Sequence, residues 1–241
     1  MGSDSRALKL EAARAALREV RSGMSLGLGT GSTAEEFVRL LGKAIASGSI
    51  AGIRGVCTSA RTEELARSLG IAVASLAELA PLDLAVDGAD EIDPRLRLIK
   101  GRGGALLREK IVEQASRRFI VVADHGKLVE RLGEGPLPVE VIPLAVDVLR
   151  RRFADAGLEP ELRKSGGNPF MTDEGNRILD VRVPADRDVA EVVDEMRRWA
   201  GVVDTGFFPT EATEALIASP GGVERRERPP AFSSTDRPSP R

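Results

Sequence analysis

Three glycine-rich stretches of this chain carry residue types that do chemistry together. Gly29-Thr30-Gly31-Ser32-Thr33 joins an apolar run, Met24 to Leu28, to a helical pattern with Ala34, Phe37, Val38 and Leu41 on one face. Glycines let backbone amides approach a ligand, hydroxyls donate to phosphate oxygens, and a helix N-terminus adds partial positive charge. Ser32 and Thr33 are expected to cap that helix as well. The alternative is a capped strand-to-helix turn that binds nothing. Asp87-Gly88-Ala89-Asp90-Glu91 supplies carboxylates, and Lys100-Gly101-Arg102-Gly103-Gly104 supplies cations and closely approachable backbone, with Glu109 shortly after. Acids and an ammonium beside an anion grip suit proton transfer on a small phosphate ester.

Competing motifs fail on particular residues. A nucleotide P-loop ends in Gly-Lys-Ser/Thr, and no lysine stands at that point. The dinucleotide fingerprint lacks its third glycine, since Ser32 follows Gly27 and Gly29 where the pattern needs one. A methyltransferase-like G-x-G-x-G matches Gly27, Gly29 and Gly31, but Val56-Cys57-Thr58 offers no acid to hold a ribose. The chain has one histidine, His125, and no tyrosine, so proton transfer falls to carboxylates and lysines. With no G-x-S-x-G, a serine hydrolase is excluded. The lone Cys57 leaves no internal disulfide and no cysteine zinc cage, and it reads as a buried inert thiol.

With 35 Lys+Arg against 37 Asp+Glu, no global field favours nucleic acid or an acidic membrane. No apolar run approaches the roughly 18 residues of a spanning helix. The segment from Met1 to Ser5 is polar and lacks an apolar leader, so the expectation is a cytoplasmic protein. At 241 residues the chain can build one domain or two.

The elements that must position these groups alternate. Helical patterns are expected over 6–20, from Ala34 onward, over 61–69 and over 105–116. Strands are expected over 24–28, 53–57, 71–73, 82–86, at Leu98-Ile99 and over 119–123, giving a largely parallel sheet covered on both faces. The glycine–hydroxyl loop, Thr58-Ser59, the Asp87 segment, the Lys100 segment and Asp124–Lys127 each follow such a strand. All five are therefore expected along one sheet edge, where ligand sites form. Beyond Pro136 and Pro138 the pattern changes to strand 139–142, helix 144–156, strand 159–164, strand 177–183, helix 188–200 and strand 202–207. That β-α-β-β-α-β order is ferredoxin-like. Residues 1–130 and 207–223 are thus expected as a Rossmann-like domain, and 131–206 as a smaller ferredoxin-like α+β lid. Residues 224–241, rich in Pro, Arg and Ser, are expected as a disordered tail.

Taken together, G-L-G-T-G-S-T-A (27–34), D-G-A-D-E-I-D (87–93) and K-G-R-G-G-A-L-L-R-E-K (100–110) resemble the A-type ribose-5-phosphate isomerases. The stretches P-V-E-V-I-P (138–143) and A-L-I-A (215–218) fit the same family, and the resemblance runs from about Leu8 to Val223. It implies a homodimeric or homotetrameric enzyme that interconverts ribose 5-phosphate and ribulose 5-phosphate through an enediolate, with no metal and no cofactor. It implies Glu109 as the base, Lys100 at the sugar oxygens, and Asp87 and Asp90 assisting ring opening and holding hydroxyls. It further implies a substrate site from Thr30, Gly31, Ser32, Thr33, Gly88, Ala89, Gly101, Arg102, Gly103 and Lys127, with Lys9 reaching the phosphate. His125 is left as a bystander. On the residues alone, Glu109 reads first as an exposed helix acid paired with an arginine, and Asp87 with its acidic neighbours could cap turns or hold a metal. An effector domain of a transcription regulator would keep the phosphate loop, but no helix-turn-helix partner accompanies the first helix.

Overall fold

Apolar runs bounded by glycines and acids become the strands of a seven-stranded sheet in the computed structural model, which describes residues 2–228. In spatial order the strands are Gly222–Glu227, Glu214–Ser219, Phe119–Asp124, Leu84–Asp87, Ser25–Leu28, Arg54–Cys57 and Ala72–Val73. All neighbours are parallel except the edge pair Glu214–Ser219 and Gly222–Glu227. Both faces are covered, so the central strands carry continuous apolar runs. On one face Leu26, Leu28, Leu84, Val86, Ile120 and Val122 pack with Ala12, Ala13 and Ala16 of helix Gly2–Leu17 and with Phe37, Val38 and Leu41 of helix Ser32–Ala46. On the other, Ala85, Val121, Ala123 and Ile217 meet Ile92, Leu96, Leu98 and Phe208. Among the described residues no helix is long and apolar enough to cross a membrane.

A second sheet has the spatial order Val202–Thr205, Leu137–Val141, Arg177–Arg182, Glu159–Leu162, with every pair antiparallel. Helices Val146–Asp155 and Val189–Met196 lay Leu149, Phe153, Val192, Val193 and Met196 against Val139, Val141, Leu179 and Val181. These six elements follow one another along the chain as β-α-β-β-α-β, with a small hairpin, Lys164–Ser165 and Asn168–Pro169, between the second and third strands.

Several expectations are corrected. Leu98–Ile99 is not in the parallel sheet; it pairs antiparallel with Glu91–Ile92 and with Phe207–Phe208 in a small third sheet. A parallel neighbour would need a crossover of about a dozen residues. Here the chain turns back at once, with Asp93 accepting the amides of Arg95 and Arg97. Phe207 accordingly leaves the four-stranded sheet, whose last strand stops at Thr205. The first helix spans Gly2–Leu17 rather than 6–20. The expected tail begins too early, because Gly222–Glu227 is an edge strand. Charged side chains are tolerated at a sheet edge, and Arg225 pairs there with Glu19 and Glu214. Residues 229–241 of that tail lie outside the described residues.

Gly206 ties the sheets together. Its N–H donates to the Pro138 carbonyl at 2.7 Å, and its carbonyl accepts the Lys100 N–H at 2.8 Å. A Cβ there would stand 2.1 Å from the Lys100 carbonyl oxygen, so backbone itself would have to move. Gly206→Ala is expected to cost about 3 kcal/mol in urea unfolding. Gly48→Ala, where φ is +73° and nothing stands within 4 Å, should cost about 1 kcal/mol from backbone strain alone. Equal losses for the two variants would contradict the close crossing.

Candidate active site

The loop after strand Ser25–Leu28 is shaped by its neighbours before any ligand arrives. Gly29 is required because a Cβ there would lie 2.3 Å from the Asp87 carboxylate. The Thr30 N–H donates to Asp87 Oδ1 at 3.0 Å. The Thr30 hydroxyl turns inward, 2.7 Å from Thr58 Oγ1 and 2.8 Å from Ser59 Oγ, and Thr62 donates to the Gly29 carbonyl. Thr58 and Ser59 therefore brace the loop from behind. Gly31, at φ +105°, is the N-cap of helix Ser32–Ala46, and no side chain caps it. This overturns the expected capping by Ser32 and Thr33: both lie within the helix. First-turn N–H groups have no partner inside a helix, and Gly31, Ser32 and Thr33 line an open cleft of about 120 Å³. Lys9 and Lys127 line the same cleft. Among the described residues neither ammonium has an ion-pair partner.

The other end of the cleft is built around Lys100, which is 2% exposed. Its Nζ donates to the Gly88 carbonyl at 2.6 Å. It lies 3.1 Å from Asp87 Oδ2, 3.3 Å from Glu113 Oε1 and 3.7 Å from Glu109 Oε2. The rings of Phe119 and Phe208 flank it at 5.8 and 5.6 Å. Burial alone would lower its pKa, but Asp87, Glu109 and Glu113 together raise it, so the ammonium stays charged. Glu109, on helix Leu106–Gln114, lines the cleft and is only 3% exposed, with Oε2 unpartnered. Burial pushes its carboxyl up to about 8; Lys100 opposes the rise, while Asp87 and Asp90 add to it. Burial raises Asp87 as well, against Lys100 and the Gly88 amide. A carboxylate held near neutrality beside a fixed cation can take and return a proton.

The neighbouring acids do not gather on one point. Asp90 lines the cleft and accepts the Arg102 N–H at 2.9 Å. Glu91 accepts the amides of Gly133 and Gly135 and pairs with Arg102, and Asp93 pairs with Arg97. Among the described residues no three His, Cys, Asp or Glu side chains are grouped to hold a metal ion. Gly88, Ala89, Gly101 and Gly103 also line the cleft. Two expected members do not: the Asp87 carboxylate lies beneath the floor, and the Arg102 side chain turns to Glu91. His125 is exposed and also outside it. The Lys100 segment, expected at the edge of the parallel sheet, enters instead from the small antiparallel sheet.

Sequence reasoning missed Glu113. The buried stripe of its helix is Leu106, Glu109, Lys110, Val112 and Glu113, so charged residues occupy positions that normally carry apolar side chains. Glu113 stands four residues after Glu109, on the same face, and that spacing was the signal.

The family model described as ribose 5-phosphate isomerase A (phosphoriboisomerase A) matches residues 54–222. The chain is 47% identical over 229 residues to ribose-5-phosphate isomerase A of Deinococcus radiodurans, covering 93% of this chain and 100% of that protein. It is 50% identical over 227 residues to ribose-5-phosphate isomerase A of Rhizobium meliloti, covering 91% and 97%. A solved D-ribose-5-phosphate isomerase in complex with phospho-erythronic acid is similar at a TM-score of 0.88 and 40% identity, covering 92% of this chain and 98% of that one. Ribose 5-phosphate isomerase A of Methanocaldococcus jannaschii gives 0.86 and 39%, covering 91% and 98%. With the match running through the aspartate and lysine loops and Glu109, and with relatives spanned almost end to end, the chain belongs to the ribose 5-phosphate isomerase A family.

Proposed function

We propose that this protein interconverts D-ribose 5-phosphate and D-ribulose 5-phosphate, with Glu109 as the base. The observation that carries this reading is the Glu109 carboxylate, buried yet lining the cleft, 3.7 Å from a permanently cationic Lys100. The phosphate sits on the uncapped turn Gly31–Thr33 between Lys9 and Lys127, and the reacting carbons reach Glu109. The relative solved with phospho-erythronic acid supports a ligand of this kind. Ionised Glu109 takes the C2 proton of the open-chain aldose. The released electron pair forms the C1–C2 double bond, and O1 becomes the enediolate oxygen. Lys100 and the amides of Gly101 and Gly103 support that charge. Glu109 then returns its proton to C1, while the O2 proton passes to O1 with the help of Asp90, leaving the C2 ketone. Asp87 acts from beneath, holding the Thr30 amide and Lys100. The Arg102 backbone contributes, and its side chain does not. The reaction uses no metal and no cofactor, and it belongs to the non-oxidative branch of the pentose phosphate pathway in the cytoplasm.

We further infer that residues 131–206 act as a lid on a body formed by 1–130 and 207–223. Arg163, paired with Asp180 in the four-stranded sheet, donates to the carbonyls of Gly101 and Arg102 and so couples lid to site. Self-association as a homodimer or homotetramer is supported by an exposed apolar group, Ile142, Leu144, Val148 and Val203, with Leu144 90% exposed.

Purified protein should convert ribose 5-phosphate and leave ribose and arabinose 5-phosphate nearly untouched. Glu109→Gln should lower kcat by at least about 10³-fold with KM changed less than about threefold; turnover near the parent rate would remove Glu109 from its role. Because a base works only when ionised, kcat/KM should climb about tenfold per pH unit below about 8 and level off above it. Raised Lys100 contributes no fall on the alkaline side. A limb in the ordinary carboxylate range near 4–5 would contradict the buried base. Leu144→Asp should shift the light-scattering mass toward that of one chain, and an unchanged mass would place the contact elsewhere.

A further inference from the structure

Glu113 is 2% exposed, does not line the cleft, and is not needed to touch substrate. Its surroundings still demand explanation. Glu113 Oε1 and Oε2, Asp87 Oδ2 and Glu109 Oε2 are all buried, and none accepts a hydrogen bond. Lys100 Nζ is within ion-pair distance of the three side chains, but its well-formed hydrogen bond goes to the Gly88 carbonyl. Ionised carboxylates only accept. Three of them around one ammonium would leave two uncompensated negative charges and a ring of acceptors facing acceptors.

One resident proton removes one of those charges and puts a donor among the acceptors, and the geometry says where it sits. Asp87 Oδ1 accepts the amides of Thr30 and Gly88, which favours its ionised form. Glu109 reaches the cleft and must exchange its proton. Glu113 accepts nothing, and its Oε1 and Asp87 Oδ2 converge on the same ammonium, at 3.3 and 3.1 Å from Lys100 Nζ. We propose that Glu113 is a positioning residue held as a neutral carboxylic acid, donating to Asp87 Oδ2, fixing Asp87 and Lys100 against each other, and leaving Glu109 as the carboxylate of this cluster that trades protons with substrate. The inference rests on the base role given to Glu109. The charged groups facing Glu113 are Asp87 from strand Leu84–Asp87, Lys100 from the loop after Leu98–Ile99, and Glu109 from its own helix. Lys110 is committed elsewhere, to Asp204 and the Thr205 carbonyl. Burial holds the Glu113 carboxyl well above the usual range; Lys100 opposes this, and Asp87 and Glu109 reinforce it.

The test has a spectroscopic arm and a kinetic arm. With isotope-labelled glutamate side chains, infrared spectra at about pH 10, some two units above Glu109, should retain one protonated carboxyl stretch. The band should persist in Glu109→Gln and vanish in Glu113→Gln. Its absence from the parent, or its survival in Glu113→Gln, overturns the proposal. Because the band is read in Glu109→Gln as well, it stands apart from the base assignment, which fails only if that variant turns over normally. In the kinetic arm, Glu113→Ala should lower kcat by about 10- to 100-fold with KM moved less than about threefold. Glu113→Gln, which keeps a donor for Asp87, should recover most of that loss with its ascending pH limb within about 0.3 unit of the parent. A limb displaced downward by about a unit in Glu113→Gln would mean that a negative charge had been removed, and the neutral acid with it. Parent-like kcat in Glu113→Ala would equally end the positioning role.

Discussion

The structure turns on a single buried cation. Lys100 has lost its water, and an ammonium in that position costs several kcal/mol unless neighbours replace hydration. The replacement comes from far apart in sequence: the Gly88 carbonyl, Asp87, Glu109, Glu113 and two phenylalanine rings. Each requirement propagates outward. Gly29 lacks a side chain so that the Asp87 carboxylate can lie beside it. Gly206 lacks one so that the Lys100 backbone can cross between two sheets. Helix Leu106–Gln114 turns Glu109 and Glu113 toward the interior beside Leu106 and Val112. A buried ion cluster is a weak source of stability, so its retention is better explained by the charge it presents to the cleft. The fold accepts a local cost to keep a fixed positive centre next to a carboxylate near neutrality.

That arrangement separates two tasks in space. At one end Gly31–Thr33, Lys9 and Lys127 offer amides and two ammonium groups without carboxylate partners among the described residues, suited to an anion that stays charged throughout. At the other end the charges are already paired or held near balance, suited to a group whose charge comes and goes. Had Lys100 been as free as Lys127, it would compete for the phosphate rather than for a transient oxyanion. Burial and the three carboxylates prevent that.

The elements with long apolar periodicity were legible in the sequence. The parallel strands around Leu26, Val86 and Val121, the helices behind Phe37 and Phe153, and the β-α-β-β-α-β order all follow from runs of residues that must be covered. What escaped depended on contacts rather than composition. Leu98–Ile99 reads as one more parallel strand until the short return from Glu91 is recognised as a hairpin. Gly222–Glu227 looks too charged to order, yet an edge strand needs a single neighbour, and Glu19 and Glu214 receive Arg225 there. Thr30 was legible as a loop hydroxyl but not as one committed to Thr58 and Ser59. Arg102 was legible as a cation near the site, but only the placement of Glu91 shows where it turns. Glu113 lay in plain view at helical spacing from Glu109, and a charged residue on a buried face was the overlooked cue.

The uncapped start of helix Ser32–Ala46 shows how such a miss can itself inform. Two hydroxyl residues open this helix, and local rules would have one of them fold back over the free amides, a contact usually worth about 1 kcal/mol. Instead Gly31 holds the cap position without a side chain. A cap would occupy the same N–H groups that an anion needs, and a hydroxyl bonded to its own helix would have to be displaced before a phosphate could bind. Leaving the turn open sacrifices a little helix stability and avoids that competition. The loop is kept rigid by other means, through Thr30, Thr62 and Asp87 on its far side. Rigidity and availability are thus supplied by different faces of the same five residues, which is why a short glycine–hydroxyl sequence can serve as a preformed grip rather than a flexible one.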